Sequence, residues 1–545
     1  MAEMTGGQAV VASLRGQGVD TVFGIISVHM LDVYDALYDA RDSPSFIGGR
    51  HEQAIAYMAD GYARASGKPG VLLSSTGPGA ANTLGALGEA YACSSPVLNI
   101  TSNVEAAQIN SGRGSLHEPK DQLAMFRSVT GWNALIPRVE SIPDHVHQAF
   151  RRFHTLRPRP IELEVPVDVL AQRADVEIPN AVEHPRRQGD SDLVERAARM
   201  LAEAQRPAIW AGGGVISADA SQELIQLCEL LECPATTTYG GKGAIPDDHP
   251  LALGCSLGGR VYGQNPIRDF LADCDCLLVV GSSLPYRTTA GVGLKLPRRI
   301  VHVDIDSQVF GKTYPPELEI EADARAVLAQ LVHALQGKGV GKSERRLKEI
   351  QDMKAQAYRY LQEEGPNQQR TMDALRAVMP RDTIIVCDST VPAYWGSRGM
   401  PAYQPRTYIA PHGWSSVGFG FPAALGAKVA HPDRHVVAIV GDGGFQFNVQ
   451  ELGTAVQYGI NVTVLVFNDS AWGVLKGMQK SRYRERYFAT DLQNPDFVKL
   501  AESYGVPATR VHTLEELTTA LEKGLQSRAL NLIEVVMPQG FAEFR

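Results

Sequence analysis

Two carboxylates at matched places in the sequence have the types and spacing to do chemistry. Asp442 lies in "VVAIVGDGGFQFN" and Asp469 in "VTVLVFNDSAWG". Each follows an apolar run that reads as a buried strand, at the point where small and polar residues take over. Between them, "FNVQELGTAVQYG" sets Val449, Leu452 and Val456 at helical spacing, with Gly459 as the stop. The unit is strand, glycine turn, helix, strand and polar turn. In a parallel crossover both strand ends lie on one edge, so Asp442 and Asp469 can meet across 27 positions. Two carboxylates plus a backbone carbonyl suit Mg²⁺, which takes six hard oxygens and completes its shell with water and phosphate. Gly441, Gly443 and Gly444 would let backbone N–H groups close on a diphosphate. The alternative is that both acids only cap helices. The pairing of the two strand ends favours the metal.

A third acid stands apart. "GGRHEQAIAYMADGYARASG", residues 48–67, places Ile55, Met58, Ala59 and Tyr62 on one helical face and Glu52 in the first turn. Taken alone, Glu52 is an acid favoured by the helix dipole.

With these motifs on the page, the chain resembles thiamine diphosphate enzymes. "GDGGF…NDSAWG" is similar to their cofactor-binding motif and "RHEQ…MADGYAR" to their glutamate motif, and the resemblance covers essentially the whole sequence. It implies Asp442, Asp469 and the carbonyl of Ala471 as magnesium ligands. Asp469 departs from the pattern, since many relatives carry Asn there. It also implies that Glu52 hydrogen-bonds the pyrimidine ring of the cofactor and relays a proton to it. Val417, in "HGWSSVGFGFPAALGAK", would prop the cofactor into a bent shape. Ser389 and Thr390, in "CDSTVPAYW", would donate to the diphosphate, although a plain loop explains them nearly as well. "SSTGPGAAN" brings Ser74 to Gly77 near the cofactor by analogy, or forms a packing turn.

On the substrate side, His29 aligns with an active-site histidine of benzaldehyde-lyase-like relatives, the alternative being a structural histidine. His117 or Glu118, in "GRGSLHEPKDQ", aligns with a glutamine of that loop in acetolactate synthases and benzaldehyde lyases. Trp472, and Leu475 after it, face the substrate and cofactor space or belong to the core. No adjacent His-His pair of the yeast pyruvate decarboxylase kind occurs. The implied reaction is non-oxidative decarboxylation of a 2-oxo acid, carboligation to an acyloin or acetolactate-type product, or both. A benzaldehyde-lyase-like carboligase and a guanidino-oxoacid decarboxylase are alternatives within the family. A non-catalytic paralogue, acting as a scaffold or regulatory subunit, is the alternative of another class.

The elements that must position these residues are strands alternating with helices. "TVFGI", "GVLLSS", "PVLNIT", "PAIWAGG", "CLLVVGS", "TIIVCDS" and similar runs mostly end in Gly, Ser, Asp or Asn. This is the pattern of parallel sheets covered by helices on both faces. The expected fold is α/β, with three doubly wound parallel-sheet domains: a pyrimidine-binding domain over 1–180, a central nucleotide-fold domain over 190–340 and a diphosphate-binding domain over 355–545. Polar segments at 180–192 and 337–346 are the linkers. Glu52 and Asp442 thus fall in different domains. In the family one cofactor spans these two domains from different subunits, which implies at least a homodimer and commonly a homotetramer. "WAGGG" invites a dinucleotide reading of the central domain but lacks a clean GxGxxG, and "SSLPYRTTAG" counts against FAD. The ending "PQGFAEFR" has no long tail of the kind that covers acyl-CoA substrates.

Composition narrows the partners. The 52 basic and 60 acidic residues give a net charge of −8, with no reason to expect nucleic acid or an anionic membrane. No run reaches the ~18 apolar residues of a membrane span. The start lacks a basic-then-apolar signal, and seven dispersed cysteines without CxxC spacing fit buried thiols in a reducing cytoplasm.

Overall fold

The computed structural model describes residues 2–41, 43–255, 266–337 and 344–537. Its frame is three parallel sheets of six strands each. The first sheet runs from edge to edge as Ser45–Gly48, Thr21–Gly24, Gly70–Ser74, Val97–Asn103, Ile161–Pro166 and Trp132–Leu135. The third runs as Tyr408–Ile409, Ile384–Cys387, Val436–Gly441, Thr463–Asn468, Asn531–Val536 and Ala508–Val511. Counted along the chain within each sheet, both have the order 2-1-3-4-6-5. The central sheet, built from strands between Pro207 and Glu321, has the order 3-2-1-4-5-6 of a nucleotide fold. The three doubly wound sheets expected from the alternation are therefore present. The shared order of the first and third is added by the structure.

The strand that leads to Asp442 is buried along its whole length, and its neighbours Ile384–Cys387 and Thr463–Asn468 flank it in parallel register. Cover on both faces is why it reads as an unbroken apolar run and not as an alternating one. The helix expected after the glycine turn is in fact two. Asp442–Phe447 is one short helix and Glu451–Tyr458 the next. The break falls at Asn448, whose side-chain amide is buried and donates to the Gly418 carbonyl at 2.7 Å. Val449 lies between the two helices, and Val456 is exposed. Gly459 does end the second helix, in the left-handed region at φ 63°.

The first and third domains share one core. Helix Glu52–Ser66 crosses helix Gly420–Ala430 backbone against backbone. A Cβ on Gly61 would fall 2.1 Å from the Ala423 carbonyl oxygen, and one on Gly426 would fall 1.9 Å from that of Met58. Ile55, Met58, Phe419, Leu425 and Val440 belong to a single buried cluster spanning both domains. Arg64, held by a 2.9 Å i,i+4 ion pair to buried Asp60 on its own helix, reaches the third domain with a 2.8 Å bond to the Ala410 carbonyl. The central domain has a core of its own.

Residues 177–190 carry neither helix nor strand, whereas 338–343 of the second linker lie outside the described residues, as does "PQGFAEFR". Helix Glu344–Glu364 runs through position 355, where the sequence puts the start of the third domain. It contributes Ile350 and Met353 to the central core. All seven cysteines are free thiols, and all but Cys93 are buried. Among the described residues, no helix is long and apolar enough to cross a membrane.

Candidate active site

Ligands of such sheets sit where the winding reverses, at the carboxyl ends of the strands. In the third sheet that place lies between Ile384–Cys387 and Val436–Gly441, followed by Thr463–Asn468. The strand ends deliver Asp388, Asp442 and Asp469 to one edge. Asp442 is 2% exposed and opens the Asp442–Phe447 helix. Burial raises its pKa, and a 2.6 Å bond from Asn494 Nδ2 to Oδ2 works against that rise. Asp469 is pushed up to about 6, first by burial and then by the Asp442 carboxylate. The two acids meet as the crossover requires. The Ala471 backbone N–H donates to both.

Asn494 escaped the sequence reading. Its amide also donates to Asn468 Oδ1 at 2.9 Å, so it ties the ends of two strands together. No signal in "LQNPDF" marks it, because it returns to the site from a loop beyond the next helix. Segment 490–492 clamps Ser470 to Trp472 through bonds from Trp472 N to the Thr490 carbonyl at 2.7 Å and from Leu492 N to the Ser470 carbonyl at 2.8 Å. Lys476, the nearby cation, is spent on Asp491 at 2.5 Å.

The donor set fits a hard divalent ion. Buried Asp442 and half-buried Asp469 raise each other's cost of ionisation, and a shared cation relieves both. Among the described residues no three His, Cys, Asp or Glu side chains converge on a metal position. A pair of carboxylates leaves the remaining ligands to carbonyl, water and phosphate oxygens, which suits Mg²⁺ and not zinc.

The glycines of the turn are packed tightly. A Cβ on Gly441 would lie 2.8 Å from Thr390 Oγ1, and one on Gly443 would lie 2.6 Å from the Trp472 ring. One on Gly444 would lie 3.1 Å from Asp388 Oδ2 and 3.4 Å from Val417 Cγ1. Val417, Thr390 and Trp472 thus surround the Gly441–Gly444 segment. The Trp472 indole also meets Phe447 edge-on, with centroids 6.3 Å apart, while Leu475 is exposed. The Ser389 hydroxyl donates to the Ser415 carbonyl at 3.1 Å, which orders the loop before Val417. Asp388 is buried and accepts the Gly418 N–H at 3.1 Å and the Gly420 N–H at 3.2 Å. It anchors the Val417 loop, and burial lifts its pKa to about 6.

The carboxyl edge of the first sheet carries the other group. Glu52 is half-buried, accepts Asn82 Nδ2 at 3.0 Å and lies 3.4 Å from a Cβ built on Gly79. His29 and His117 face each other with ring centroids 5.1 Å apart, and both Nδ1 atoms are buried without a partner. Burial, and then His117, hold His29 below its usual value. Gly77 at φ 65° passes against the His117 backbone, where a Cβ would fall 2.4 Å from the carbonyl oxygen. Buried Gln122, also missed from sequence, receives the Thr76 hydroxyl and the Gly77 N–H, each at 3.0 Å. Glu118 is engaged differently. Its two oxygens accept the N–H groups of Gly112, Gly114 and Ser115 at 2.7 to 3.1 Å, which folds its own loop and lowers its pKa.

Two half-sites result. Asp442, Asp469, Ala471, Val417, Ser389, Thr390 and Trp472 gather on the third domain, and Glu52, His29 and His117 on the first. Among the described residues no hydrogen bond joins Glu52 to Asp442. In the central domain, the "WAGGG" glycines close a loop crossing. A Cβ on Gly212 would fall 2.1 Å from the Gly281 carbonyl, and one on Gly214 would fall 2.5 Å from Gly281 Cα.

Comparison with known proteins bears on both halves. Three family models match in chain order. They describe the thiamine pyrophosphate enzyme N-terminal TPP binding domain over residues 4–125, the central domain over 194–331 and the C-terminal TPP binding domain over 388–535. A probable acetolactate synthase large subunit from Methanocaldococcus jannaschii is 37% identical, covering 98% of this chain and 92% of its own. A probable 2-ketoarginine decarboxylase from Pseudomonas aeruginosa is 35% identical, covering 98% of this chain and 94% of its own. Acetolactate synthase isozyme 2 large subunit from Escherichia coli is 32% identical, covering 98% and 95%. The chain belongs to the thiamine pyrophosphate enzyme family.

Proposed function

We propose that this protein uses thiamine diphosphate and Mg²⁺ to decarboxylate a 2-oxo acid without oxidation, releasing an aldehyde or joining the acyl unit to a second carbonyl. The observation that carries the reading is the meeting of buried Asp442 and half-buried Asp469 at the ends of adjacent parallel strands, a donor set that a shared cation would suit. When bound, the cofactor supplies an electron sink beside the carbonyl carbon. The chain supplies the rest. Asp442, Asp469 and the Ala471 carbonyl would hold the metal, with Asn494 fixing the Asp442 oxygen. Val417, braced by Asp388 through the Gly418 and Gly420 N–H groups, would support the cofactor. Glu52 would pass a proton to and from the pyrimidine ring. His29 and His117, each with a buried Nδ1 that has no partner, would hold or move a proton at the substrate. Glu118 would act through the loop it folds.

Glu52 and the metal pair lie in separate half-sites, and Glu52 is only half-buried in one chain. Exposed Ile26, Val28, Leu31 and Leu116 lie close in sequence to His29 and His117. These features support a site completed by a second copy, a homodimer at minimum and a homotetramer by family habit; the free, mostly buried thiols support work in a reducing cytoplasm. An acetolactate-type product is supported by the synthase relatives. A guanidino 2-oxo acid as substrate is supported by the 35% identical relative named for 2-ketoarginine.

The test is turnover by purified protein with thiamine diphosphate and Mg²⁺. Pyruvate, 2-oxo-5-guanidinopentanoate and benzaldehyde would be supplied in turn, with Glu52→Gln as control. Carbon dioxide with an aldehyde, acyloin or acetolactate from wild type alone supports the reading. No product from any of them favours the scaffold alternative. The absorbance of the purified protein reports any FAD.

A further inference from the structure

The turn that carries Glu52 is held from the third domain. Strand Ser45–Gly48 ends and helix Glu52–Ser66 begins with only Gly49, Arg50 and His51 between them. The Arg50 N–H donates to both oxygens of Glu451, at 3.0 and 3.2 Å. The His51 N–H bonds the same carboxylate. Glu451 is wholly buried at the first turn of helix Glu451–Tyr458. The Thr454 hydroxyl, at 2.6 Å from Oε2, fixes its orientation. Two further contacts hold the turn in place. The Arg50 guanidinium reaches Gln457 at 2.5 Å, and a Cβ on Gly49 would fall 2.3 Å from Ile55 Cγ2.

A buried carboxylate is a costly way to join two domains that already share an apolar core. What it provides, and packing does not, is directional anchoring of two successive backbone N–H groups just before Glu52. We infer that Glu451 is a positioning residue for Glu52: it sets the turn, and the turn sets where the Glu52 carboxyl stands. The inference rests on Glu52 acting as the proton relay proposed above. Glu451 follows the Asp442–Phe447 helix in sequence, so the segment that opens with Asp442 also aims the acid of its own chain.

The experiment follows exchange of the thiamine C2 proton for deuterium on protein holding cofactor and Mg²⁺, with no substrate present. This reads Glu52 directly and does not require the substrate to be known. Glu451→Ala is expected to slow exchange by about ten- to a hundredfold, the scale of an ångström-sized misplacement. Cofactor affinity, read by tryptophan fluorescence, should stay close to that of wild type. Glu451→Gln, which keeps one acceptor for the Arg50 N–H, should recover part of the rate. If Glu52→Gln slows exchange while folded Glu451→Ala matches wild type, the positioning role is overturned. If wild type itself exchanges no faster than free cofactor, the proposed function fails first. If Glu451→Ala does not fold, Thr454→Val decides. It removes only the orienting hydroxyl and should slow exchange severalfold, and an unchanged rate would overturn the inference.

Discussion

Asp469 stands against Asp442 at the ends of adjacent parallel strands, and each carboxylate makes the other harder to ionise. The pair is unfavourable as it stands and becomes favourable when a cation is shared. Its consequences can be measured without a substrate.

The first concerns pH. The folded-state pKa of Asp469 is about 6, above its unfolded value near 4. An acid with a raised folded pKa disfavours folding once ionised, so its penalty grows as pH rises from about 4 to about 6 and is complete above that. In metal-free protein, Asp469→Asn should therefore gain in melting temperature on wild type across this window. Magnesium should shrink the difference. Parallel melting curves with chelator and with Mg²⁺ test this, and a constant offset from pH 4 to 7 would count against it.

Asn494 steadies Asp442 and bridges it to Asn468. Asn494→Ala should cost about 1 kcal/mol of stability, the ordinary value of a lost hydrogen bond. It should weaken Mg²⁺-dependent cofactor binding by about tenfold, corresponding to ~1.4 kcal/mol. Titration of apoprotein with thiamine diphosphate at fixed Mg²⁺ measures the second effect.

Gly61 and Gly426 sit where helices Glu52–Ser66 and Gly420–Ala430 touch backbone to backbone. Neither site has room for a methyl group, and the obstacles are main-chain oxygens that cannot rotate away. Gly61→Ala or Gly426→Ala should destabilise by about 3 kcal/mol or more, beyond ordinary overpacking. Soluble yield and thermal denaturation report it. Gly477→Ala, at a site with open space, is the control.

His117 and Glu118 are neighbours with opposite commitments. His117 has a free buried nitrogen facing His29, whereas the Glu118 oxygens are taken up by backbone N–H groups of its loop. His117→Ala should lower kcat and alter its pH profile while leaving proteolytic resistance unchanged. Glu118→Ala should expose the 111–118 loop to protease. The reverse pattern would exchange their roles.

The site was legible where chemistry and local sequence coincide. Asp442 and Asp469 follow a strand run directly, and Glu52 follows one after a three-residue turn, so the motif carries both identity and place. Asn494, Gln122 and Glu451 were not legible, because they arrive from loops or helices remote in sequence and act through hydrogen bonds that only the fold brings together. Glu451 looks like any acid at a helix start until Arg50 is found upon it. Alternating apolar runs revealed three doubly wound sheets but not their strand order, since order depends on which crossover lands beside which strand. The helix expected through Val449 and Val456 failed for a tertiary reason: Asn448 leaves the helical path to bond Gly418. Position 355 read as the opening of a domain, yet a helix crosses it to bury Ile350 and Met353 in the central core.

The central claim is that one chain's Glu52 works with another chain's Asp442. Coexpressing Glu52→Gln with Asp442→Ala tests it most directly, because a mixed dimer then holds one wholly intact site and one doubly altered site. Each variant alone should be inactive. The mixture should regain about a quarter of wild-type turnover, since half of randomly paired dimers are mixed and each carries one good site. A mixture as inactive as its folded parents, beside an active wild type, would contradict the account.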